Sequence, residues 1–250
     1  MMSPDVAAAE AALLDRAEID ATQMRQTTGE YPDLTIDDAY VIQAAWQEIK
    51  LARGEVLVGH KIGLTSRAMQ ASMNITTPDS GFLTDRMVFE PDTRLVAADF
   101  CDPKLEIELA FVLNTDLAGD DLSADDILDA TEYVVPAIEL IAARSFRRDP
   151  DSGRTRTVVD TIADNAANAG IIMGGTKVAP RDIDLRWVSA LGSRNGVIEE
   201  TGVAAGVLGH PAMGIAWLAR RYHEQGLTLE KGQIILAGSF TRPIDIRAGD

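Results

Sequence analysis

Two glutamates separated by one residue interrupt the apolar run Lys104-Leu-Glu106-Ile-Glu108-Leu-Ala-Phe-Val112-Leu113, and they constrain the chain more than any other feature. In an extended segment side chains alternate, so both carboxylates face the same way, roughly 7 Å apart along the strand. A third acid, Glu139, breaks a second apolar stretch, Tyr133-Val-Val-Pro-Ala-Ile138-Glu139-Leu-Ile141. Three carboxylates in a low-dielectric interior repel one another unless they are protonated or neutralised by a cation. Oxygen-only ligation suits Mg²⁺ or Mn²⁺, hard ions that leave positions for water or substrate oxygens and act as Lewis acids. The same alternation also fits a half-exposed strand whose Leu105, Ile107 and Leu109 face inward while Glu106 and Glu108 face water. Glu139 is harder to place in water, because its segment is apolar on both faces.

Composition narrows the function classes. With 39 Asp and Glu against 23 Lys and Arg, the formal charge of -16 opposes attraction to nucleic acid or to an anionic membrane surface. Cys101 is the only cysteine, which excludes an intramolecular disulfide and any multi-cysteine metal site. The start lacks a basic segment followed by an apolar core, and no window approaches the ~20 apolar residues of a membrane span. These features lead us to expect a cytoplasmic protein. At 250 residues and 46% hydrophobic content, the chain is expected to form one domain over 1–250, with 1–54 a helical subregion.

The pattern along the chain predicts an α+β fold. An Ala-rich stretch from Pro4 to Met24 reads as helix. A second helix begins near Thr35, where Thr35-Ile-Asp-Asp38 resembles a capping box; Ile42, Trp46 and Ile49 follow at helical spacing, and Gly54 supplies the stop. The period then changes to short β-rich runs at Val56–Ile62, Met87–Phe89, Leu105–Leu113 and Tyr133–Ile141. Helical windows are expected over Ile162–Ile172 and Ala212–Glu224, and strand and turn over Gly232–Pro243. Strand and helix do not alternate regularly, so a mixed β-rich core fits better than a doubly wound sheet. Neither Gly174-Gly175 nor Gly202–Gly206 matches a phosphate-binding fingerprint.

Other residues carry chemistry with an ordinary structural alternative beside each. In Val58-Gly-His60-Lys61-Ile62-Gly63-Leu-Thr65-Ser66, Lys61 lies in a β-like run between glycines, before a short helix. A buried lysine near a metal is expected to have a depressed pKa and to carry protons near neutral pH, although an ion-paired strand lysine looks the same in sequence. Pro78-Asp79-Ser80-Gly81 reads as a turn, and Asp79 gains interest only if it faces Lys61. His210 reads as capping or packing. Asp164 and Asn168 share a helical face, first as capping and packing and second as an outer shell to the site. Arg144 to Arg156 holds five arginines in thirteen residues and begins five residues after Glu139. Such a loop suits a substrate's distal carboxylate, which guanidinium pairs bidentately, and equally a solvated loop or a subunit contact.

Taken in order, Gly-His-Lys-Ile-Gly-Leu-Thr-Ser, Pro-Asp-Ser-Gly, Glu106-Ile-Glu108, Pro136-Ala-Ile-Glu139-Leu, Asp160-Thr-Ile-Ala-Asp-Asn-Ala-Ala-Asn-Ala-Gly, Glu200-Thr-Gly-Val-Ala-Ala-Gly and Leu236-Ala-Gly-Ser-Phe-Thr-Arg-Pro resemble the hydratase and decarboxylase branch of the fumarylacetoacetase superfamily. The resemblance runs from about Gly54 to Asp250. It implies a twisted mixed β-rich core of the fumarylacetoacetase C-terminal type and homo-oligomeric assembly. It also implies a Mg²⁺ or Mn²⁺ site at Glu106, Glu108 and Glu139, with Lys61 and Asp79 as acid/base residues. We expect substrate contacts at Thr65, Ser66, Arg144, Ser239 and Thr241. His60 stands where related sequences often carry an aromatic residue, and the chain stops at Asp250, where a further strand would be expected. The implied activity is a hydro-lyase adding water to a C7 dicarboxylic 2-hydroxydienoate in aromatic catabolism, specifically homoprotocatechuate degradation. Alternatives are hydration of 2-hydroxypenta-2,4-dienoate, decarboxylation of 4-oxalocrotonate, or a silent metal-binding homologue serving as a partner subunit.

Overall fold

The structure is a computed structural model that describes residues 2–72 and 75–250. Three helices come first: α1 (Pro4–Ile19), α2 (Thr27–Glu30) and α3 (Ile36–Ala52). Thr35 caps α3 through a reciprocal box with Asp38, and Gly54 follows the helix at φ +88°, as the sequence requires. α1 stops five residues short of Met24. Ala21 turns left-handed, and Met24 instead exchanges backbone hydrogen bonds with Arg144 and Phe146.

The remaining elements are β1 (Leu57–Gly63), α4 (Arg67–Ser72), β2 (Asp79–Thr84), β3 (Val88–Phe89), β4 (Lys104–Leu113), α5 (Ala124–Asp129), β5 (Thr131–Ile141), α6 (Val158–Ala163), β6 (Asn168–Met173), β7 (Ser189–Arg194), β8 (Val197–Val203), α7 (Ala212–Glu224), β9 (Ile234–Leu236) and β10 (Ile244–Asp245). Among the described residues, eight strands form one sheet in the order β2-β1-β9-β4-β5-β6-β3, with β10 also on β4; β7 and β8 form a separate hairpin. β1 runs parallel to β9 and β3 to β6, while the other pairs are antiparallel. The sheet is therefore mixed, and it curls into a half-barrel beside the helices, as expected for the α+β class.

Side-chain alternation sorts the two faces. Leu109, Phe111 and Leu113 of β4 pack with Ile127 of α5 and Ile215 and Leu218 of α7. On the opposite face Ala110, Val135 and Ala137 pack with Leu14, Ile42, Trp46 and Phe82. Glu106 and Glu108 share that second face with Ala110, and Glu139 shares it with Ala137 and Val135, so the carboxylates lie where an apolar core gives way to charge.

Two expectations need correction. The window Ile162–Ile172 is not one helix: the Thr157–Asp160 capping box starts α6 earlier, at Val158. Left-handed backbone at Asn165, Ala166 and Ala167 ends the helical course, and Ile171 and Ile172 belong to β6. The segment Asp79-Ser80-Gly81, expected as a turn, is the first half of β2 and pairs with β1. Gly81 is there because Asn165 approaches closely, and a Cβ on it would lie 2.7 Å from the Asn165 Oδ1.

Candidate active site

Antiparallel register places Glu106 of β4 opposite Glu139 of β5, and Glu108 opposite Ala137. One carboxylate oxygen from each glutamate lies within 4.8 Å of the others. Glu108 and Glu139 are fully buried and Glu106 is half-buried. Buried Glu108 does not fit the water-facing alternative considered from sequence, whereas Lys104 to Ile107, Glu106 included, are all half-buried. Glu108 accepts a hydrogen bond from the Gly238 N–H at 2.8 Å. Gly238 has φ +113°, and a Cβ there would lie 2.9 Å from the Thr65 Cβ, so the site needs glycine at this position.

Neither Glu139 oxygen has a hydrogen-bond partner, and the Lys61 Nζ lies 3.5 Å from Oε1. Burial pushes all three carboxyls upward. For Glu108 the neighbouring Glu139 and Glu106 charges add to burial. Glu139 reaches about 8, because burial and the Glu106 charge together outweigh the opposing Lys61 ammonium. Two orphaned Glu139 oxygens, clustered with carboxylate oxygens of Glu106 and Glu108, are the donor set of a hard divalent cation, and this cluster can hold one.

Lys61 is buried between Gly59 and Gly63 on β1, on the same face as Asp79, which is the register partner of Gly63. A Cβ at Gly63 would collide with the Asp79 carboxylate and lie 2.8 Å from the Lys61 Nζ, so this glycine lets the two groups meet. Burial depresses the Lys61 pKa, as expected from sequence, but the carboxylates of Glu139, Asp79, Glu106 and Glu108 outweigh it and hold the ammonium above its ordinary value. Burial likewise raises Asp79, against the opposing Lys61 and Arg156 charges.

A cavity of about 500 Å³ opens beside the carboxylates. Its walls include Thr65, Ser66, Glu106, Glu108, Ser239 and Thr241. The Ser239 hydroxyl donates to the Thr241 carbonyl at 2.9 Å, and the Ile107 N–H to the Thr241 Oγ1 at 3.4 Å, tying this loop to β4. Of the five expected substrate contacts, four line this cavity and Arg144 does not. Arg144 is fully buried elsewhere, ion-paired to Asp164 and donating to the backbone carbonyls of Asp164 (2.7 Å) and Asn168 (3.0 Å). Its charge satisfies an internal carboxylate, which is what a buried arginine requires.

Arg156 approaches the same Asp164, and Arg147 pairs with Asp102 at 2.6 Å. None of the five loop arginines lines the cavity. The cation that does is Arg242, exposed and paired to Glu200 at 2.8 Å. Sequence reasoning passed over it although it sits in the Ser239-Phe-Thr-Arg-Pro243 run. The usable signal was a cation next to residues already expected in the pocket, rather than the densest cluster of cations. His210 performs a local role, its Nδ1 accepting from the Ala212 N–H at α7.

Fold and site together define a curled mixed sheet with a carboxylate cluster able to hold a hard cation beside an open cavity. The chain is 54% identical over 237 residues to the 2-oxo-hept-4-ene-1,7-dioate hydratase of Escherichia coli, covering 95% of this chain and 89% of that one. It is 36% identical to the 4-oxalocrotonate decarboxylase of Pseudomonas sp. strain CF600, covering 95% and 88%. The solved structure of 4-oxalocrotonate decarboxylase from Pseudomonas putida G7, complexed with magnesium and adipate, matches with a TM-score of 0.93 at 30% identity, over 100% of this chain and 92% of that one. No protein-family model matches the chain. The chain belongs to the hydratase and decarboxylase branch of the fumarylacetoacetase superfamily.

Proposed function

We propose that the chain is a divalent-metal-dependent hydro-lyase. It adds water to 2-oxo-hept-4-ene-1,7-dioate, through the 2-hydroxydienoate form, to give 4-hydroxy-2-oxoheptanedioate in homoprotocatechuate degradation. The observation that carries this reading is the buried Glu106–Glu108–Glu139 cluster beside Lys61, in a chain sharing 54% identity with a hydratase of that substrate. Magnesium, named in the related decarboxylase structure, is the assigned ion, with Mn²⁺ the alternative of the same chemistry.

Glu106, Glu108 and Glu139 would hold the ion. When bound, it supplies Lewis-acid stabilisation to charge building on the substrate's C1 carboxylate and C2 oxygen, and it opposes the carboxylate field on Lys61. Lys61 and Asp79 are the groups assigned to move protons: the 2-hydroxyl proton leaves as C5 gains one, giving a 2-oxo-3-enoate electron-poor at C4, and as water adds at C4 its released proton is matched by one delivered to C3. Both are buried next to each other, so these protons pass within a water-poor enclosure. Thr65, Ser66, Ser239 and Thr241 offer hydroxyl groups along the cavity wall, and Arg242 is the cation placed to meet a distal carboxylate.

No helix among the described residues is long and apolar enough to cross a membrane. Cytoplasmic location belongs to the same proposal, supported by a lone, buried thiol at Cys101. Homo-oligomeric assembly does too, supported by the β7–β8 region, where Trp187, Leu191, Val197 and Ile198 are all more than half exposed.

The test is a side-by-side assay of the C7 dienedioate, 2-hydroxypenta-2,4-dienoate and 4-oxalocrotonate, with hydration and CO₂ release both measured. Metal-dependent loss of the C7 dienoate without CO₂ is the expected result. Predominant CO₂ release would replace the hydratase reading with decarboxylation, and no turnover of any substrate would leave a silent homologue.

A further inference from the structure

Asn165, Ala166 and Ala167 all adopt left-handed backbone, with φ of 52°, 48° and 63°. Three successive non-glycine residues in that region are costly, and the surrounding structure must over-determine them. Asn165 shows what the turn achieves. Its Oδ1 accepts from the Phe82 N–H at 2.8 Å and its Nδ2 donates to the Phe82 carbonyl at 3.1 Å. The Asn168 amide reaches the same carbonyl at 3.0 Å.

β2 is an edge strand, paired with β1 alone in the sheet order. Its outer edge would present unpaired backbone groups, and the Asn165 amide closes it as a neighbouring strand would. Phe82 lies three residues from Asp79. At Gly81, between them, the turn approaches so closely that a side chain would overlap it.

The turn is anchored on its other side to the strand that carries Glu139. The Ala142 N–H donates to the Ala167 carbonyl at 2.8 Å, and Asn168 pairs with Ile141 across β5 and β6. Asp164, just before the turn, is held by Arg144 and by the Ser145 N–H at 3.2 Å. Arg144 thus braces the turn.

We propose that Asn165 is a positioning residue for Asp79: the strained turn clamps β2 against the β5 end, fixing the Asp79 carboxylate at its distance from Lys61 and Glu139. This rests on the proton-transfer role assigned to Asp79 above. The Asn165 side chain is engaged by the Phe82 backbone, so its action passes through strand β2 and not through contact with substrate.

The experiment uses Asn165→Gly, because glycine adopts the left-handed conformation freely while losing the amide. It is combined with Asp79→Asn and with the double variant in the full chain. Asn165→Gly is expected to lower kcat about tenfold with KM and the Mg²⁺ dissociation constant changed less than about threefold, and to cause no further loss in the Asp79→Asn background. An unchanged kcat, or an equal loss in both backgrounds, overturns the proposal. Hydrogen exchange needs no substrate: the Phe82 amide should exchange at least about tenfold faster in Asn165→Gly, and unchanged protection overturns the clamp. Should the parent fail to hydrate any dienoate, the hydratase reading falls while the exchange measurement still decides whether the turn holds β2. If Asn165→Gly does not fold, Asn165→Asp, which keeps the acceptor for Phe82 N–H but loses the donor to its carbonyl, serves with the same readouts.

Discussion

Glu106 and Glu139 are register partners across the β4–β5 pair, two acids directly opposite each other at a position where sheets ordinarily avoid like charges. The arrangement costs stability unless a cation is shared.

Mg²⁺ or Mn²⁺ should therefore stabilise the protein, by about 2.7 kcal/mol at a free concentration near 100 times Kd, which raises Tm by roughly 5–10 °C for a chain of this size. The Glu139→Gln variant should melt, metal-free and near neutral pH, no lower than the parent, since the Glu139 carboxyl, raised to about 8, is largely protonated there and Gln keeps its neutral shape. It should also lose most of the metal-induced shift. Calorimetry with and without a chelator reads both quantities; a parent Tm indifferent to either ion would remove the metal from the site.

Lys61 faces Glu139 at 3.5 Å with Asp79 beside it, and its removal tests proton transfer directly. We expect Lys61→Met to lower kcat by roughly 10²-fold or more while Mg²⁺ binding persists, the scale of losing a positioned acid or base. Steady-state kinetics with a parallel metal titration decides. Retained kcat would reduce Lys61 to a structural counter-charge.

Arg144 and Arg242 should separate cleanly. Arg144→Ala leaves the fully buried Asp164 with the 3.4 Å Arg156 contact as its remaining ion pair, beside the Ser145 N–H at 3.2 Å, and should cost about 3 kcal/mol of stability without changing substrate preference. Arg242→Ala, at an exposed position on the cavity wall, should leave stability near the parent value and lower kcat/KM for the C7 diacid about tenfold relative to the C5 monoacid. Denaturant unfolding and paired kinetics measure both. A diacid preference untouched by Arg242→Ala would mean that another group selects the distal carboxylate.

The contrast between these arginines shows what was legible in the sequence. Period-two alternation around Glu106 and Glu108, and the apolar setting of Glu139, marked the three acids as candidates, but a half-exposed strand fitted the same pattern until the family resemblance singled out a metal site, because the register that sets Glu106 opposite Glu139 is not local. The capping box at Thr35 and the amphipathic run Ala212–Glu224 were legible from local pattern alone. Arg144 was not: whether a guanidinium meets a substrate or a buried Asp164 depends on tertiary packing that a charge run does not encode. β2 was misread because Gly81 signals a turn locally, whereas its cause is a non-local approach by Asn165. The left-handed Ala166 and Ala167 carry no local signal, since alanine favours helix and the surrounding contacts override that preference.

His60 is expected to make stability fall in mild acid. It is buried on the β1 face toward α7, its Nδ1 3.0 Å from the Tyr222 hydroxyl and its Nε2 without a partner; Arg221, Glu48 and Glu230 line the same neighbouring cavity. Burial pushes its pKa down to about 4, against an ordinary value near 6.5. Below about pH 6.5 the unfolded chain therefore binds a proton that the folded chain refuses, so stability is intact above that pH and is lost progressively toward pH 4, by roughly 3 kcal/mol in total. His60→Phe abolishes this linkage while keeping an aromatic ring against Tyr222, and its lost hydrogen bond is a pH-independent cost. Denaturant unfolding at pH 7.5, 6 and 5 should show the difference in stability between parent and variant moving steadily in favour of the variant as pH falls. Parallel stability profiles would mean that the folded protein admits the proton on His60 after all.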